Sequence, residues 1–476
     1  MKSRFEKDSL GSKQVPAMAY YGIQTCRAME NFPISGYRAH PRLIQAMGMV
    51  KKAAAVANRT LGLLDRKRAS AIIRAADEVI RGRLDAQFVV DVYQAGAGVS
   101  FHMNANEVIA NRAIELLGGR RGDYARCHPN DHVNYGQSTN DVFPTAMRLA
   151  AILLFDDVRA TASQLERSLA RKGNAFDSIL KSGRTHMMDA SPIRLGQEFA
   201  AYATAMRHCG DELRHAQDVL REVGLGGSAV GTGMNTHPKY QRLVVACLSK
   251  ISKQRLVAAR DLRYTMQSNL AMTVASSALR NLGLELIRIS NDLRLLASGP
   301  NTGLAEIALP ALQPGSSIMP GKVNPVMAEL TAMVGFQSAG ADLVTALAAQ
   351  AGQLELNVMM PAMAWNVLHS AEILKNTMRA LAEKCVDGIS ANAARCKYYA
   401  SATVSISAAL NPYIGYAAAA EIAKESVKSG RTVTEIAQER GLLDEKLLRK
   451  ILDPRRTTEP KAPVSAAKKK TKRTLR

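Results

Sequence analysis

Aromatic side chains are scarce in this chain: Phe, Trp and Tyr make up 5% of the 476 residues, with a single Trp. Ala, Leu and Met carry the apolar content of 47% instead, and these residues favour packed helices over sheets. We find no apolar run of membrane-spanning length. The N-terminal stretch MKSRFEKDSLGSKQ also lacks a hydrophobic signal core. We therefore expect a mainly α-helical, cytoplasmic protein with no membrane contact.

Cysteine pairs are also missing, because the six cysteines are scattered and none forms a CxxC motif. This distribution suits reduced thiols and excludes a disulfide framework or a zinc site of the usual spacing. His128 and His132 have the i,i+4 spacing of a metal pair, but Pro129 between them predicts a loop rather than a helix face. We expect no metal and no cofactor, and divalent-cation activation is left open.

Positive charge is in excess, with a net charge of +22. Residues 455–476 contain nine Lys or Arg against one Glu, a net of +8, so the rest of the chain carries +14. We predict that this tail is disordered and solubilising, in preference to weak contact with nucleic acid. The basic body would raise the local concentration of an anionic substrate.

Apolar periodicity predicts a succession of helices, at 41–61, 66–83, 104–118, from after Pro144 to about 172, 196–222, 325–353 and 358–384. The strongest pattern is a single helix over 262–298, about 55 Å long at 1.5 Å per residue. Its apolar seam is formed by Met272, Ala275, Leu279, Leu282, Leu286, Ile289, Leu293 and Leu296. A helix of this length is typical of a bundle of long helices.

The irregular segments between the helical stretches predict three domains and a tail. These are a mixed N-terminal domain over 1–140, a central long-helix bundle over 141–395, a small helical domain over 396–454 and the basic tail over 455–476. The segment GLGGSA at 224–229 fits a dinucleotide-binding pattern, but a helical stretch precedes it instead of a strand. We therefore do not expect a nucleotide site there.

Four polar segments interrupt the helices: QAGAGVSFHMNANE (94–107), YGQSTND (135–141), GRTHMMD (183–189) and PGSSIMPGKVNPVMAE (314–329). Each alone could be a turn or a helix cap. Together they supply hydroxyl and amide donors, a lysine and glycine-rich backbone, which are groups that bind carboxylates. We expect Asn324 to be the N-cap of the helix that follows Lys322, with Pro325 in its first turn.

The segment GSSIMPGKVNP resembles the signature of the fumarase/aspartase superfamily. NDHVNYGQSTNDVFPTA, GRTHMMDASPIRLGQEF, GGSAVGTGMNTHP and ALNPYIGY resemble further segments of that family, in its order, from about residue 8 to 454. AYYGIQTCRAMENFPISG and GAGVSFHMNANEVIANRA look more like the aspartate ammonia-lyases than the fumarases. The resemblance implies a three-domain fold with a central long-helix bundle and a homotetramer whose sites are each built from three chains.

The resemblance also implies a mechanism, in which aspartate loses a proton next to its side-chain carboxylate and ammonia leaves the resulting aci-carboxylate to give fumarate. Ser316 corresponds to the family's base, with an oxyanion stabilised by neighbouring Gly and Ser N–H groups and by Lys322. Glu329 would pair with His186 and orient it, and Ser317 would donate a hydrogen bond within a lid-like loop. The implied substrate-binding residues are Ser138, Thr139, Asn140, Thr185, His186, Lys322, Asn324 and the position of Val99.

A second anion site is implied at His128, Asn130 and Asp131, by resemblance to fumarases. Two departures from the family pattern bear on substrate choice. Val99 replaces a threonine, which removes a hydroxyl donor to the substrate carboxylate. The carboxylate oxygen left without this donor costs about 1–3 kcal/mol of binding free energy unless water substitutes. Tyr135-Gly136 precedes QSTND, where the family commonly has a basic or apolar residue and then serine.

Three readings of function follow from these segments. The first is elimination of ammonia from L-aspartate. The second, within the same fold, is a fumarase acting on malate and fumarate or a related amine lyase. The third is a catalytically silent helical scaffold, which the retention of Ser316, Lys322 and His186 disfavours.

Overall fold

The structure, a computed structural model, describes residues 2–462 and residue 464 and is mainly α-helical. The α-helices of the described residues are α1 (Ile23–Asn31), α2 (Pro41–Thr60), α3 (Arg66–Ile80), α4 (Val99–Leu116), α5 (Thr139–Ala175), α6 (Leu195–Leu220), α7 (Tyr240–Ser252), α8 (Leu262–Gln267), α9 (Leu270–Leu296), α10 (Val326–Gln350), α11 (Met360–Lys384), α12 (Ala393–Ala402), α13 (Asn411–Ile414), α14 (Tyr416–Ser429), α15 (Val433–Glu439) and α16 (Glu445–Ile451). Most long helices predicted from the sequence are confirmed.

Strands are short and pair two by two. They are β1 (Ser3–Asp8), β2 (Gly11–Pro16), β3 (Leu180–Thr185), β4 (Met188–Arg194), β5 (Glu222–Val223), β6 (Val257–Ala258), β7 (Ile307–Ala308) and β8 (Ser390–Ala391). The pair β5–β6 is parallel, and β1–β2, β3–β4 and β7–β8 are antiparallel. Two-stranded ribbons cannot form a core by themselves, so the helices provide it.

The chain forms two compact units. The first comprises Met1–Ala162, His208–Leu286 and Ala332–Met378, and the second comprises Ser163–Arg207, Ile287–Thr331 and Arg379–Arg476. The long helices α5, α6, α9, α10 and α11 each contribute residues to both units. The three-domain division made from the sequence stays a prediction.

In the first unit, α2 packs against α3, α4 and α7. The helix begins where His40 accepts a hydrogen bond from the Arg42 N–H, with Pro41 at the first helical position. Its buried face includes Met47, Ala54 and, in register with them, Lys51. This face therefore places an amine inside the first unit.

The seam predicted in the central helix is confirmed, because all eight of its apolar residues are buried. The prediction of one helix over 262–298 is wrong, since α8 and α9 are separate helices. Ser268 has extended dihedral angles of −102° and 130° and ends α8 with a hydrogen bond from its N–H to the Tyr264 carbonyl. The 27 residues of α9 span about 40 Å rather than 55 Å.

Two further helix starts differ from the predictions. α5 begins at Thr139 and contains Pro144, instead of starting after it. Pro144 lies beyond the first turn of α5, so its missing N–H removes the i→i−4 hydrogen bond to the Asn140 carbonyl. α4 begins at Val99 rather than at residue 104, which brings Val99 to a helix N-terminus.

In the described part of the chain, α10 alone is long and apolar enough to cross a membrane, with 33% of its most apolar window buried. This qualifies the sequence-based statement that no run reaches such a length. Length and composition are weak evidence, because helices in protein cores pass the same test. Asp342 lies within α10 and forms an ion pair with Arg280 at 2.8 Å.

One face of α10 within the first unit is apolar and exposed. Met333, Phe336, Leu343 and Leu347 recur at helical spacing and are 55–62% exposed. Such a continuous apolar row on a protein surface is typical of an interaction site.

The predicted disorder of the tail over 455–476 stays a prediction. At its beginning a 3₁₀ turn covers Pro454–Thr458, and within the second unit Arg194 contacts Thr458 at 2.7 Å and Glu459 at 2.6 Å. These contacts use the polar side chains that precede the basic run. Residues 463 and 465–476, which carry most of the predicted tail, lie outside the described residues.

Candidate active site

The residues predicted from the sequence fall into two groups, one in each unit. The first unit holds Val99, His128, Asn130, Asp131, Ser138, Thr139 and Asn140, and the second holds Thr185, His186, Ser316, Ser317, Lys322, Asn324 and Glu329.

Asp141 anchors the first group at the start of α5. Its carboxylate is fully buried and accepts hydrogen bonds from the backbone N–H groups of Ser138 at 2.9 Å, Gly226 at 2.9 Å and Ser228 at 3.1 Å. Asn140 donates its amide N–H to the Ala229 carbonyl at 2.7 Å. Burial raises the pKa of Asp141 to about 6, against these hydrogen bonds.

These contacts explain the segment GLGGSA. Its backbone N–H groups bind a buried carboxylate of the protein itself and hold the turn before α5 in place. The second glycine, Gly226, has a φ of +101°, which favours glycine. The structure agrees with the sequence-based rejection of a nucleotide site, since the strand β5 before it has only two residues.

The hydroxyl groups of this turn stay partly exposed. The Ser138 Oγ accepts a hydrogen bond from the Asn140 N–H at 3.2 Å. The Thr139 Oγ1 lies 2.7 Å from Nδ1 of His102. Ser138, Thr139 and Asn140 therefore form one polar surface at the N-terminus of α5, where the helix dipole favours an anion.

Val99 lies at the N-terminus of α4, after a glycine that no other residue can replace. Gly98 has a φ of +84°, and a Cβ on it would lie 2.3 Å from the Phe143 ring. Val99 is 41% exposed and lines a cavity of about 520 Å³. His128 and Asn130 line the same cavity, so the structure brings Val99 together with the implied second anion site.

The HPND segment forms one π turn, Pro129–Val133. His128 Nδ1 accepts hydrogen bonds from the N–H groups of Asn130 and Asp131, both at 3.2 Å, and lies 3.4 Å from the Asp131 carboxylate. The Asp131 carboxylate is exposed. Among the described residues, no group of three His, Cys, Asp or Glu side chains could hold a metal ion.

A buried polar network behind Thr139 was missed by the sequence analysis. Lys51 on α2 is fully buried and lies 2.6 Å from Nε2 of His102 on α4, and its ammonium group also contacts Asn134 and Gln137, each at 2.9 Å. The sequence could have indicated it, because Lys51 lies in register with the apolar face of α2. Burying a lysine there costs free energy.

Thr185 and His186 lie at the tip of the β3–β4 hairpin in the second unit. Thr185 pairs with Met188, so His186 and Met187 form a two-residue turn. Their φ angles are +55° and +64°, a conformation that normally selects Asn and Gly. Backbone strain of this kind is concentrated at functional sites.

The hairpin rests on a buried ionic cluster. The Lys181 ammonium group lies 2.6 Å from Glu198 and 3.0 Å from Glu306, and Arg184 lies 3.0 Å from Glu306. Burial raises the pKa of Glu198 despite the lysine beside it. The cluster fixes β3 and leaves the tip, with Met187 64% and Met188 70% exposed, free to contact another surface.

The serine loop, residues 315–324, closes on itself. The Gly315 N–H donates to the Lys322 carbonyl at 2.7 Å, and the Asn324 amide donates to the Gly315 carbonyl at 2.8 Å. A Cβ on Gly315 would lie 2.9 Å from the Asn324 N and from the Lys322 O, and Gly321 has a φ of +81°. Glycine is required at both positions.

Ser316 lies within this loop. Its Oγ accepts hydrogen bonds from the N–H groups of Met319 at 2.9 Å and Ile318 at 3.2 Å. Two backbone donors on one hydroxyl oxygen would stabilise negative charge on that oxygen. The donors differ from the Gly and Ser N–H groups expected from the sequence.

Three other expectations for this group are corrected or qualified. Asn324 is not the N-cap of α10, because its side chain closes the loop and the helix begins at Val326 with Pro325 before it. Among the described contacts, Ser317 has no hydrogen bond from its hydroxyl, and no ion pair joins Glu329 to His186 within the chain. Lys322 is exposed.

The chain is similar to known proteins over most of its length. A family profile described as lyase matches residues 11–340, and one described as fumarase C C-terminus matches residues 406–459. An aspartate ammonia-lyase from Bacillus sp is 47% identical over 96% of this chain and 98% of that relative. A class II fumarate hydratase from Halobacterium salinarum is 50% identical over 95% of this chain and 96% of that relative.

The fold is also similar to that of a solved structure. A fumarate lyase:delta crystallin from Brucella melitensis has a TM-score of 0.93 and 48% identity, over 96% of this chain and all of that chain. The similarity extends over both units and includes the serine loop and the hairpin. The chain therefore belongs to the fumarase/aspartase superfamily of lyases.

Proposed function

We propose that the protein eliminates ammonia from L-aspartate to give fumarate. The observation that carries the proposal is the Ser316 hydroxyl oxygen, held by two backbone N–H groups in a loop closed by Gly315 and Asn324. Relatives from Bacillus and Pseudomonas aeruginosa that are 47–49% identical over 96% of this chain are aspartate ammonia-lyases, which supports the choice of reaction.

In this mechanism Ser316, as an alkoxide, removes a proton from the carbon next to the side-chain carboxylate of aspartate. The Ile318 and Met319 N–H groups stabilise the negative charge on the Ser316 oxygen. The electron pair moves into the carboxylate to form a doubly charged aci-carboxylate. Lys322 stabilises this charge, and its collapse expels ammonia and forms the carbon–carbon double bond.

The other residues bind and orient the substrate. Ser138, Thr139 and Asn140 present hydroxyl and amide donors at the N-terminus of α5, where a substrate carboxylate gains from the helix dipole. Thr185 and His186 supply further donors from the strained hairpin tip. The body's net positive charge favours the approach of a dicarboxylate.

We infer that the site is completed in a homotetramer, with each site built from three chains. The exposed apolar face of α10 and the exposed Met187 and Met188 support this inference. So does the lack of an ion pair between His186 and Glu329 among the described residues of one chain. Partner chains would bring Glu329 beside His186. The ligand of this site is a small dicarboxylate. The basic tail makes the protein more soluble in the cytoplasm.

Fumarate hydration to malate is the second candidate function. Its support is the class II fumarate hydratase that is 50% identical to this chain, together with Val99. A valine cannot donate to the substrate carboxylate as a threonine would, which weakens the case for efficient aspartate turnover.

One assay separates the candidates. Purified protein is given L-aspartate, then L-malate, and fumarate is followed by its ultraviolet absorbance. We expect fumarate from aspartate at a kcat/KM at least tenfold above that for malate. Faster turnover of malate would favour the hydratase, and no fumarate from either substrate would contradict both.

A further inference from the structure

Lys51 has an unusual environment for a buried lysine. Its side chain is fully buried, and no carboxylate of the described residues lies within ion-pair distance of its ammonium group. Three neutral groups surround the Nζ atom instead: Nε2 of His102 at 2.6 Å, Oδ1 of Asn134 at 2.9 Å and Oε1 of Gln137 at 2.9 Å. A buried amine held only by neutral groups is easily deprotonated.

The orientation of the two amides is fixed by their other contacts. The Asn134 amide N–H donates to the Gln137 carbonyl at 3.1 Å, and the Gln137 amide N–H donates to the Val133 carbonyl at 3.1 Å. Their oxygen atoms therefore face Lys51. Both amides can only accept from the amine, whichever protonation state it has.

The imidazole of His102 connects this amine to the candidate substrate site. Its Nε2 faces Lys51, and its Nδ1 lies 2.7 Å from the Thr139 hydroxyl. A neutral imidazole has one N–H donor and one acceptor. The role of one ring nitrogen therefore determines the role of the other.

Two arrangements satisfy every group in the network, and they differ by one proton. With an ammonium on Lys51, its three N–H bonds donate to Asn134, Gln137 and Nε2, so Nδ1–H of His102 donates to Thr139. The Thr139 O–H is then free to donate outward. With a neutral amine, Nε2–H donates to the lone pair of Lys51, Nδ1 becomes the acceptor, and the Thr139 O–H turns inward to it.

We propose that Lys51 and His102 are positioning residues that set the direction in which the Thr139 hydroxyl donates, so that binding of a substrate carboxylate depends on the proton held by Lys51. The proposal rests on the proposed function, in which Thr139 binds that carboxylate. A bound carboxylate needs the outward donor, so it stabilises the ammonium state.

The electrostatic surroundings give the direction of the pH effect. Burial lowers the pKa of Lys51 well below its usual range, and the nearby Asp141 on α5 opposes this shift. Burial and Lys51 lower the pKa of His102, so its ring stays neutral. Tyr240 on α7 stays protonated, because burial and Asp141 raise its pKa. Affinity for the carboxylate should therefore fall as pH rises through the pKa of Lys51.

Two variants lock the network in opposite states. Lys51→Met removes the amine, so His102 donates from Nε2 to the freed amide oxygens and holds the Thr139 hydroxyl inward. His102→Gln can accept from Lys51 through its oxygen and donate to Thr139 through its nitrogen, but its nitrogen cannot become an acceptor. This variant keeps the Thr139 hydroxyl outward at every pH.

Steady-state kinetics with L-aspartate test the substrate link. In the native enzyme we expect KM to rise roughly 10- to 100-fold as pH rises through the pKa of Lys51, the range for one hydrogen bond to a charged group, with kcat changing much less. Lys51→Met should have the high KM at all pH values, and His102→Gln the low KM. The matched control is Lys52→Met, which breaks only a partly exposed ion pair with Asp77 and should keep the native pH profile.

A second readout does not depend on turnover. Solid-state ¹⁵N spectra of histidine-labelled protein report the tautomer of each imidazole, and His102→Gln identifies the signals of His102 among the nine histidines. We expect Nδ1–H below the pKa of Lys51 and Nε2–H above it, with Nε2–H throughout in Lys51→Met. One tautomer from acid to alkaline pH in the native protein would overturn the proposal, as would a native pH dependence of KM in Lys51→Met.

Failure of the proposed function gives a different pattern. If aspartate is not turned over and the inert dicarboxylate succinate does not bind in calorimetry, while the tautomer still switches, the two-state network stands and the role of Thr139 in substrate binding is wrong. Thermal unfolding of each folded variant shows whether a loss of affinity reflects loss of structure instead.

Discussion

Phe336 offers a direct test of the inference that the site needs partner chains. The side chain is 62% exposed in the middle of the apolar face of α10. An aromatic side chain presents about 200 Å², so about 120 Å² would be buried in an assembly, which is worth about 3 kcal/mol per chain at 25 cal/mol per Å². Phe336→Asp loses this contribution and also places a carboxylate in the interface.

We expect Phe336→Asp to dissociate the proposed tetramer at micromolar concentration and to lose more than 90% of fumarate formation. Sedimentation velocity measures the assembly, and circular dichroism checks that the helices remain. The matched control is Phe5→Asp, since Phe5 is 73% exposed on β1 and lies away from α10 in the sequence. A Phe336→Asp variant that stays tetrameric with native turnover would refute the reasoning.

Three further predictions follow from single sites. Val99→Thr should lower the KM for aspartate about 5- to 10-fold at constant kcat, by restoring a hydroxyl donor, and an unchanged KM in steady-state assays would contradict this. Gly315→Ala should lower kcat at least roughly tenfold with little change in melting temperature, since its Cβ would force the ends of an exposed loop apart; native kcat would count against the closed loop. Burial raises the pKa of Glu107 to about 7 from 4.5, so its protonated form stabilises the fold and this contribution is lost as pH rises through about 7. In thermal unfolding curves recorded at a series of pH values, Glu107→Gln should reduce the loss of stability with rising pH. An unchanged dependence of stability on pH would show that another group causes it.

The long helices were predictable because their apolar periodicity is local. Met272 to Leu296 repeats every three or four residues, and that pattern needs no knowledge of the partner helix. The break at Ser268 and the early start of α5 at Thr139 depend instead on tertiary contacts. Asp141 stabilises the turn before α5 by accepting backbone N–H groups from a segment 85 residues away.

The candidate site was predictable in its residue types but not in its geometry. Ser316 and Lys322 stand out by composition, whereas the donors to Ser316 follow from the turn that the loop adopts. The left-handed conformation of His186 could not be expected from a non-glycine residue. Lys51 was missed because a lysine within an apolar helix is usually on its solvent face.

The central claim is that Ser316 is the base of an aspartate lyase, and Ser316→Ala tests it most directly. Fumarate release from L-aspartate is measured for this variant, with Ser317→Ala as the neighbouring comparison and sedimentation to confirm the assembly. We predict a loss of at least roughly 10³-fold in kcat for Ser316→Ala with the proposed tetramer intact, and a much smaller loss for Ser317→Ala. Near-native turnover of aspartate by Ser316→Ala would contradict the account.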